Sequence, residues 1–103
     1  MGANTFFHTA LGKTAKEAFR MAVKDAEYGY GHRGYTGTIA EKDSFVLVAQ
    51  ETFPNRDSAM DYADKLIDED DERIDDKWGP AGCVEFKNEL NEIEYLFFGW
   101  ASS

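Results

Sequence analysis

The segment "IEYLFFGWA" (residues 93–101) predicts a β-strand that is apolar on both faces. A strand covered on one side only alternates apolar and polar side chains, whereas residues 95–100 carry no charge and do not alternate. The segment "FVLVA" (residues 45–49) shows the same property. We therefore expect both faces of these strands to be buried. A second copy of the chain would cover a face that the chain itself leaves open, and the alternative is a central strand that is hydrophobic on both sides.

Two segments have the apolar spacing of amphipathic helices. The first begins after Thr14, a predicted N-cap with Glu17 three residues on, and Gly29 is its predicted end. The second follows Asp57 or Ser58. The apolar stripes consist of Ala15, Ala18, Phe19, Ala22, Val23 and Ala26 in the first, and Ala59, Tyr62, Ala63, Leu66 and Ile67 in the second.

The chain also shows weak internal similarity. The two helical stripes superpose, and "GYTGTIAEK" (residues 34–42) superposes on "GPAGCVEFK" (residues 79–87). With "NTFFHTA" as the first strand, the order becomes β-α-β-β-α-β with one more strand at the C-terminus. This order predicts a single α+β domain over residues 1–103. We expect a ferredoxin-like antiparallel sheet that carries both helices on one face.

Composition limits the possible functions. The chain of 103 residues has 20 acidic and 11 basic residues, a net charge of −9, and residues 57–76 alone hold ten acids and two bases. This balance argues against direct binding to DNA or RNA. The longest apolar runs are too short to span a membrane, and a lone cysteine, Cys83, excludes an intramolecular disulfide. We expect a cytoplasmic protein that binds no membrane.

The segment "YGYGHRGYTG" (residues 28–37) contains a G-x-G-x-x-G pattern. A dinucleotide-binding turn would follow a strand and open a helix, but this pattern follows a helix and precedes a strand. Its aromatic and basic side chains still suit stacking and phosphate contacts, and the alternative is a loop that covers the edge of the core. We predict a ligand or partner site made of Tyr28, Tyr30, His32, Arg33, Tyr35 and Trp78. In the expected topology, Trp78 lies at the opposite end of the sheet from the other five, so only an oligomer would unite them.

The acidic run "DEDDERIDD" (residues 68–76) is a second candidate surface. If the second helix continued through it, like charges four residues apart would destabilise that helix. The run therefore serves solubility, or it forms an acidic face that imitates nucleic-acid phosphates or docks on a basic protein, and a loose metal site is a further alternative. The residues of that face are Asp61, Asp64, Asp68, Asp71, Glu72 and Asp75. The run lacks the glycine of a calcium-binding loop.

The sequence offers little for catalysis. It has two histidines, of which His8 lies in the first predicted strand, and no carboxylate pair stands out as an acid–base couple. Nothing near Cys83 in sequence would lower the pKa of its thiol. We expect neither an enzyme nor a requirement for a metal or a cofactor.

Three segments, "YTGTIAEK", "DDKWGPAGC" and "YLFFGWASS", resemble small, mostly uncharacterised accessory proteins of bacteriophages and prophages. The resemblance spans nearly the whole chain. It implies a protein of the bacterial host cytoplasm that inhibits or evades a host defence system by binding. The ligand would be a small nucleotide-like molecule or a host protein, and the alternative is an acidic nucleic-acid mimic. A homodimer or higher homo-oligomer is expected.

Overall fold

The computed structural model describes residues 3–30 and 37–102. Within these residues, four strands form one sheet, together with two α-helices and a short 3-10 turn. In chain order, the elements are β1 (Ala3–Leu11), α1 (Ala15–Tyr30), the 3-10 turn (Ile39–Glu41), β2 (Phe45–Phe53), α2 (Arg56–Asp68), β3 (Ala81–Lys87) and β4 (Ile93–Ser102). The α+β class is therefore confirmed. No helix among the described residues is long and apolar enough to cross a membrane.

The sheet has the strand order β1-β4-β3-β2 and is mixed. β4 is antiparallel to both of its neighbours, whereas β2 and β3 are parallel. The sheet is thus not the wholly antiparallel one that the sequence predicted. The parallel pair arises because α2 carries the chain from the end of β2 back to the start of β3, as a crossover connection must.

The difference begins at residues 34–42, which stand at the place of the second strand in the predicted β-α-β-β-α-β order. Residues 37–42 form a 3-10 turn with its flanks, and Thr38 caps the turn by accepting a hydrogen bond from the backbone N–H of Ala40. Residues 34–36 lie outside the described residues. The aligned glycines also differ, because Gly37 has a φ of 71° whereas Gly82 lies within β3. The internal similarity therefore does not extend to a repeated structure here.

The two helices cover opposite faces of the sheet, not one face as predicted. On β4, Tyr95 and Phe97 pack in the cluster that contains α1, whereas Leu96 and Phe98 pack in the cluster that contains α2. Successive side chains of a strand point to opposite faces. The crossover from β1 to β2 runs one way across the sheet and that from β2 to β3 runs back, so right-handed connections place their helices on opposite sides. The chain therefore covers both faces of β4 without a second copy.

The helix boundaries follow from local hydrogen bonds. Thr14 Oγ1 accepts from the backbone N–H of Glu17 at 3.1 Å, as predicted for the start of α1. Helix α1 continues through Gly29 instead of ending there. Helix α2 is capped by Asn55, which accepts from the N–H of Ser58 at 2.8 Å, and not by Asp57 or Ser58.

Candidate functional site

The predicted binding residues fall partly within the described structure. Tyr28 lies on α1 with 96% of its surface exposed, and Tyr30 is the last residue of the helix. His32, Arg33 and Tyr35 lie outside the described residues, as does the side chain of Tyr30. Trp78 is 62% exposed and lies between α2 and β3.

The structure brings the connections before β2 and β3 to the same end of the sheet. Phe45 and Ala81, the first residues of these parallel strands, are register partners. Residues 37–44, the described part of the connection before β2, therefore lie beside the connection that follows α2. The expectation that Trp78 lies at the opposite end is wrong, because it assumed an antiparallel sheet. One chain is sufficient to bring both connections together.

Lys42 joins these two connections. Its side chain is buried, and Nζ donates hydrogen bonds to the backbone carbonyls of Asp76 at 3.4 Å, Lys77 at 3.1 Å and Gly79 at 2.9 Å. Burial lowers the pKa of Lys42 because it disfavours the charged form, and the carboxylates of Asp76 and Glu41 oppose that shift. Nothing in the local sequence distinguishes this lysine from an exposed one, so sequence analysis missed its role.

Glu41 ties the same region to the end of β4. Its carboxylate accepts hydrogen bonds from Ser102 Oγ at 2.6 Å, from Ser102 N–H at 3.2 Å and from Gly37 N–H at 2.7 Å. Lys42 and Glu41 therefore hold residues 37–42 against both the 76–79 segment and the end of β4. We call this end of the sheet, defined by Glu41, Lys42, Trp78 and Ser102, the junction.

Trp78 presents an exposed aromatic ring at the junction. Its backbone N–H donates to Asp76 Oδ1 at 2.8 Å, which fixes the local turn. Lys77 Nζ lies 5.6 Å from the centre of the Trp78 ring. A ring with a cation beside it matches the chemistry of a ligand that has a planar group and a negative charge.

The predicted acidic face lies partly on helix α2 and partly in the non-helical segment that follows it. Helix α2 ends at Asp68, so residues 69–76 are not helical, and the expected destabilisation of a continuous helix does not arise there. The run is anchored by Ile74, which is buried in the cluster beneath α2. The members that are solvent-exposed are Asp61, Asp64, Asp68, Glu72 and Asp75.

Asp71, by contrast, has a structural contact. Its carboxylate accepts hydrogen bonds from Arg73 Nε and Nη2, each at 2.9 Å, and Arg73 Nη1 donates to the carbonyl of Val48 at 3.3 Å. The hydrogen bonds from Arg73 lower the pKa of Asp71 to about 2. Asp71 thus holds the acidic segment in place.

The remaining reactive side chains are poor candidates for catalysis. Cys83 is fully buried, and burial raises the pKa of its thiol to about 12, so the nucleophilic thiolate is scarce at neutral pH. His8 lies in β1, as predicted, and its Nε2 lies 3.6 Å from Asp25 Oδ2. Among the described residues, no group of three or more His, Cys, Asp or Glu side chains is placed to hold a metal ion.

A cleft of about 730 Å³ lies at the other end of the sheet, beside the start of α2. It is lined by side chains of both charges, including Arg56, Asp57, Lys87 and Glu94. Sequence analysis missed it because its walls come from two segments about thirty residues apart. The mixed charges select no ligand class.

Comparison of the chain with protein-family models, curated proteins and solved structures finds no match.

Proposed function

We propose that the protein is a non-catalytic binding protein whose ligand site is built around the junction. The observation that carries this proposal is the set of three hydrogen bonds from Lys42, which hold the 76–79 segment, and with it the exposed Trp78, beside residues 37–42. Residues 37–42 directly follow the predicted binding segment in sequence, and we therefore propose that this segment and Trp78 form one site within a single chain.

The chemistry of these residues favours a small nucleotide-like ligand. Trp78 offers a stacking surface for a base, and Lys77 beside it offers a positive charge for a phosphate. Tyr30 and Tyr35 would add rings, and Arg33 and His32 would add hydrogen-bond donors. The same residue types are enriched at protein interfaces, so the surface of a host protein is a second ligand of this site.

The resemblance to phage accessory proteins is our reason for proposing a role against host defence. A protein that sequesters a nucleotide signal, or covers a host protein, inhibits a host defence system without chemistry.

The test is thermal unfolding with a panel of linear and cyclic nucleotides. A ligand at about one hundred times its Kd adds about 2.7 kcal/mol of stability, which raises Tm by several degrees in a domain of this size. Trp78→Ala and Arg33→Ala should each abolish the increase, because they remove the stacking ring and the bidentate cation. Lys87→Ala, at the opposite end of β3, is the matched control and should keep it. If no nucleotide raises Tm, the small-molecule form of the proposal is wrong.

A second candidate function is an acidic decoy for a nucleic-acid-binding host protein. It is favoured by the outer face of α2, where Asp61, Asp64 and Asp68 are exposed while Ala63 and Leu66 face the core. Carboxylates that repel one another in the free protein would be neutralised in the basic groove of a partner.

A further inference from the structure

Strand β1 leaves one edge of the sheet open. It pairs with β4 along its whole length, from Ala3 opposite Ser102 to Leu11 opposite Glu94. No other strand among residues 3–30 and 37–102 pairs with its outer side. Alternate N–H and C=O groups along this nine-residue strand therefore point away from the sheet.

The other edge of the sheet is protected, and β1 is not. The pairing of β2 with β3 is interrupted between Leu47 and Thr52, and β2 carries Glu51 and is followed by Pro54. Interruptions, charges and prolines are the features that prevent edge strands from pairing with other chains. The sequence of β1, "ANTFFHTAL", has no proline and no acidic, lysine or arginine side chain, and its register with β4 is unbroken.

Helix α1, which packs on β1 and β4, carries two exposed apolar side chains. Met21 is 53% exposed and Tyr28 is 96% exposed, and they lie on one helical stripe with Asp25. Asp25 contacts His8 of β1, so the stripe lies on the β1 side of the helix. An open strand and an apolar helix stripe thus occur side by side.

We propose that β1 pairs antiparallel with β1 of a second copy, around a twofold axis perpendicular to the sheet. This axis joins the two sheets into one and places both α1 helices on the same face. Because α1 packs on β1 and β4, each helix would lie about one strand spacing from the axis. The two helices would then be about 10 Å apart, the spacing of packed helices. Met21 and Tyr28 would border the contact between them.

The distribution of charge favours a second copy over an unrelated strand. Each chain has a net charge of −9, so two copies repel unless their acidic segments are far apart. The acidic α2 packs on β2, β3 and β4. Pairing through β1 therefore places the acidic helices towards the outer ends of the dimer and joins the copies through a strand without acidic residues. The dimer requires no ligand, so the experiment that tests it is independent of the test of the proposed function.

Sedimentation equilibrium on the full chain tests the dimer. We expect wild type to show twice the monomer mass at about 100 µM, and Thr5→Lys or Met21→Lys to raise the dimer Kd at least about tenfold, because each would place two lysines near the twofold axis. Gln50→Lys is the matched control, since it adds the same charge to exposed β2 at the other edge. A monomeric wild type at that concentration, or equal weakening by Gln50→Lys, would overturn the proposal.

Hydrogen exchange gives a second measurement that needs no variant. In a dimer, the outward N–H groups of β1 become hydrogen-bonded, so their exchange should slow as protein concentration rises. The outward N–H groups of β2 should exchange at a rate independent of concentration. Exchange of β1 that does not change with concentration contradicts the pairing of β1 strands.

Discussion

Lys42 shows how one buried side chain organises the junction. An ammonium group has three donors and no acceptor, and three backbone carbonyls surround Nζ of Lys42. The desolvation of the charge is thus offset by hydrogen bonds that also fix residues 76–79. The position of Trp78 depends on this arrangement, since it lies within the segment that Lys42 holds.

The contact between Asp71 and Arg73 predicts a specific pH dependence. The folded-state pKa of Asp71 is about 2, below its ordinary value of 3.8. Its contribution to stability is therefore complete above about pH 4 and disappears as pH falls through 2. We expect Asp71→Asn to lower the free energy of unfolding at pH 7 by up to about 1 kcal/mol, because the pair is partly exposed. The difference from wild type should shrink on acidification to pH about 2.5.

Urea unfolding of both proteins at several pH values measures this difference. Glu89→Gln, which removes an exposed carboxylate in the turn between β3 and β4, should follow wild type throughout. A stability difference for Asp71→Asn that stays constant from pH 7 to pH 2.5 would show that the contact is not ionic.

At the scale of elements, local patterns predicted the helices and most strands. Apolar spacing located α1 and α2, and the apolar runs located β2 and β4, because these signals depend on neighbouring residues. The 37–42 segment was assigned wrongly since "TIAEK" and "CVEFK" look alike. The first segment forms a 3-10 turn, and its contacts include a hydrogen bond between Glu41 and Ser102, which lie far apart in sequence. Because this segment is not a strand, both the strand directions and the placement of the helices differ from the prediction.

Replacing a glycine by alanine should have opposite effects on stability in β3 and in α1. A Cβ on Gly82 would lie 2.8 Å from Cζ of Phe98 and 3.0 Å from Cγ2 of Ile74, both buried. Gly82→Ala should therefore destabilise the protein by about 1–3 kcal/mol through overpacking. A Cβ on Gly29 would meet no atom within 4 Å, so Gly29→Ala should stabilise α1 by up to about 1 kcal/mol.

Chemical denaturation of the two glycine variants provides the measurement. The two changes in the free energy of unfolding should have opposite signs, although each variant adds one methyl group. A neutral Gly82→Ala would mean that Phe98 and Ile74 move apart without loss of packing.

For the whole molecule, the mixed topology alters both candidate surfaces. It brings the connection before β2 and the connection before β3 together at the junction, which the predicted antiparallel sheet would have separated. It also removes the original reason for an oligomer, since α1 and α2 cover both faces of β4. The open edge of β1 is the observation that supports a second copy. Sequence analysis selected Trp78 as a binding residue, and it is exposed, but its position beside residues 37–42 depends on long-range pairing that no local pattern records.

The surplus of acidic residues predicts how salt affects the molecule. The charge of −9 lies mainly in residues 57–76, where like charges at Asp57, Asp61, Asp64 and Asp68 share α2. Screening should reduce this repulsion, so we expect Tm to rise between 20 and 500 mM NaCl. Asp64→Asn/Asp68→Asn should stabilise the protein at low salt by about 0.5–1 kcal/mol, because it removes a like-charge pair and a negative charge at a helix C-terminus.

Thermal unfolding of wild type and the double variant across this salt range measures the effect. The double variant should also show a smaller rise in Tm with salt, whereas a Tm that falls with salt would mean that attractive contacts dominate. If the exposed carboxylates reduce stability, folding alone does not account for them. The acidic decoy then predicts that the same double variant, although more stable, binds a basic partner more weakly.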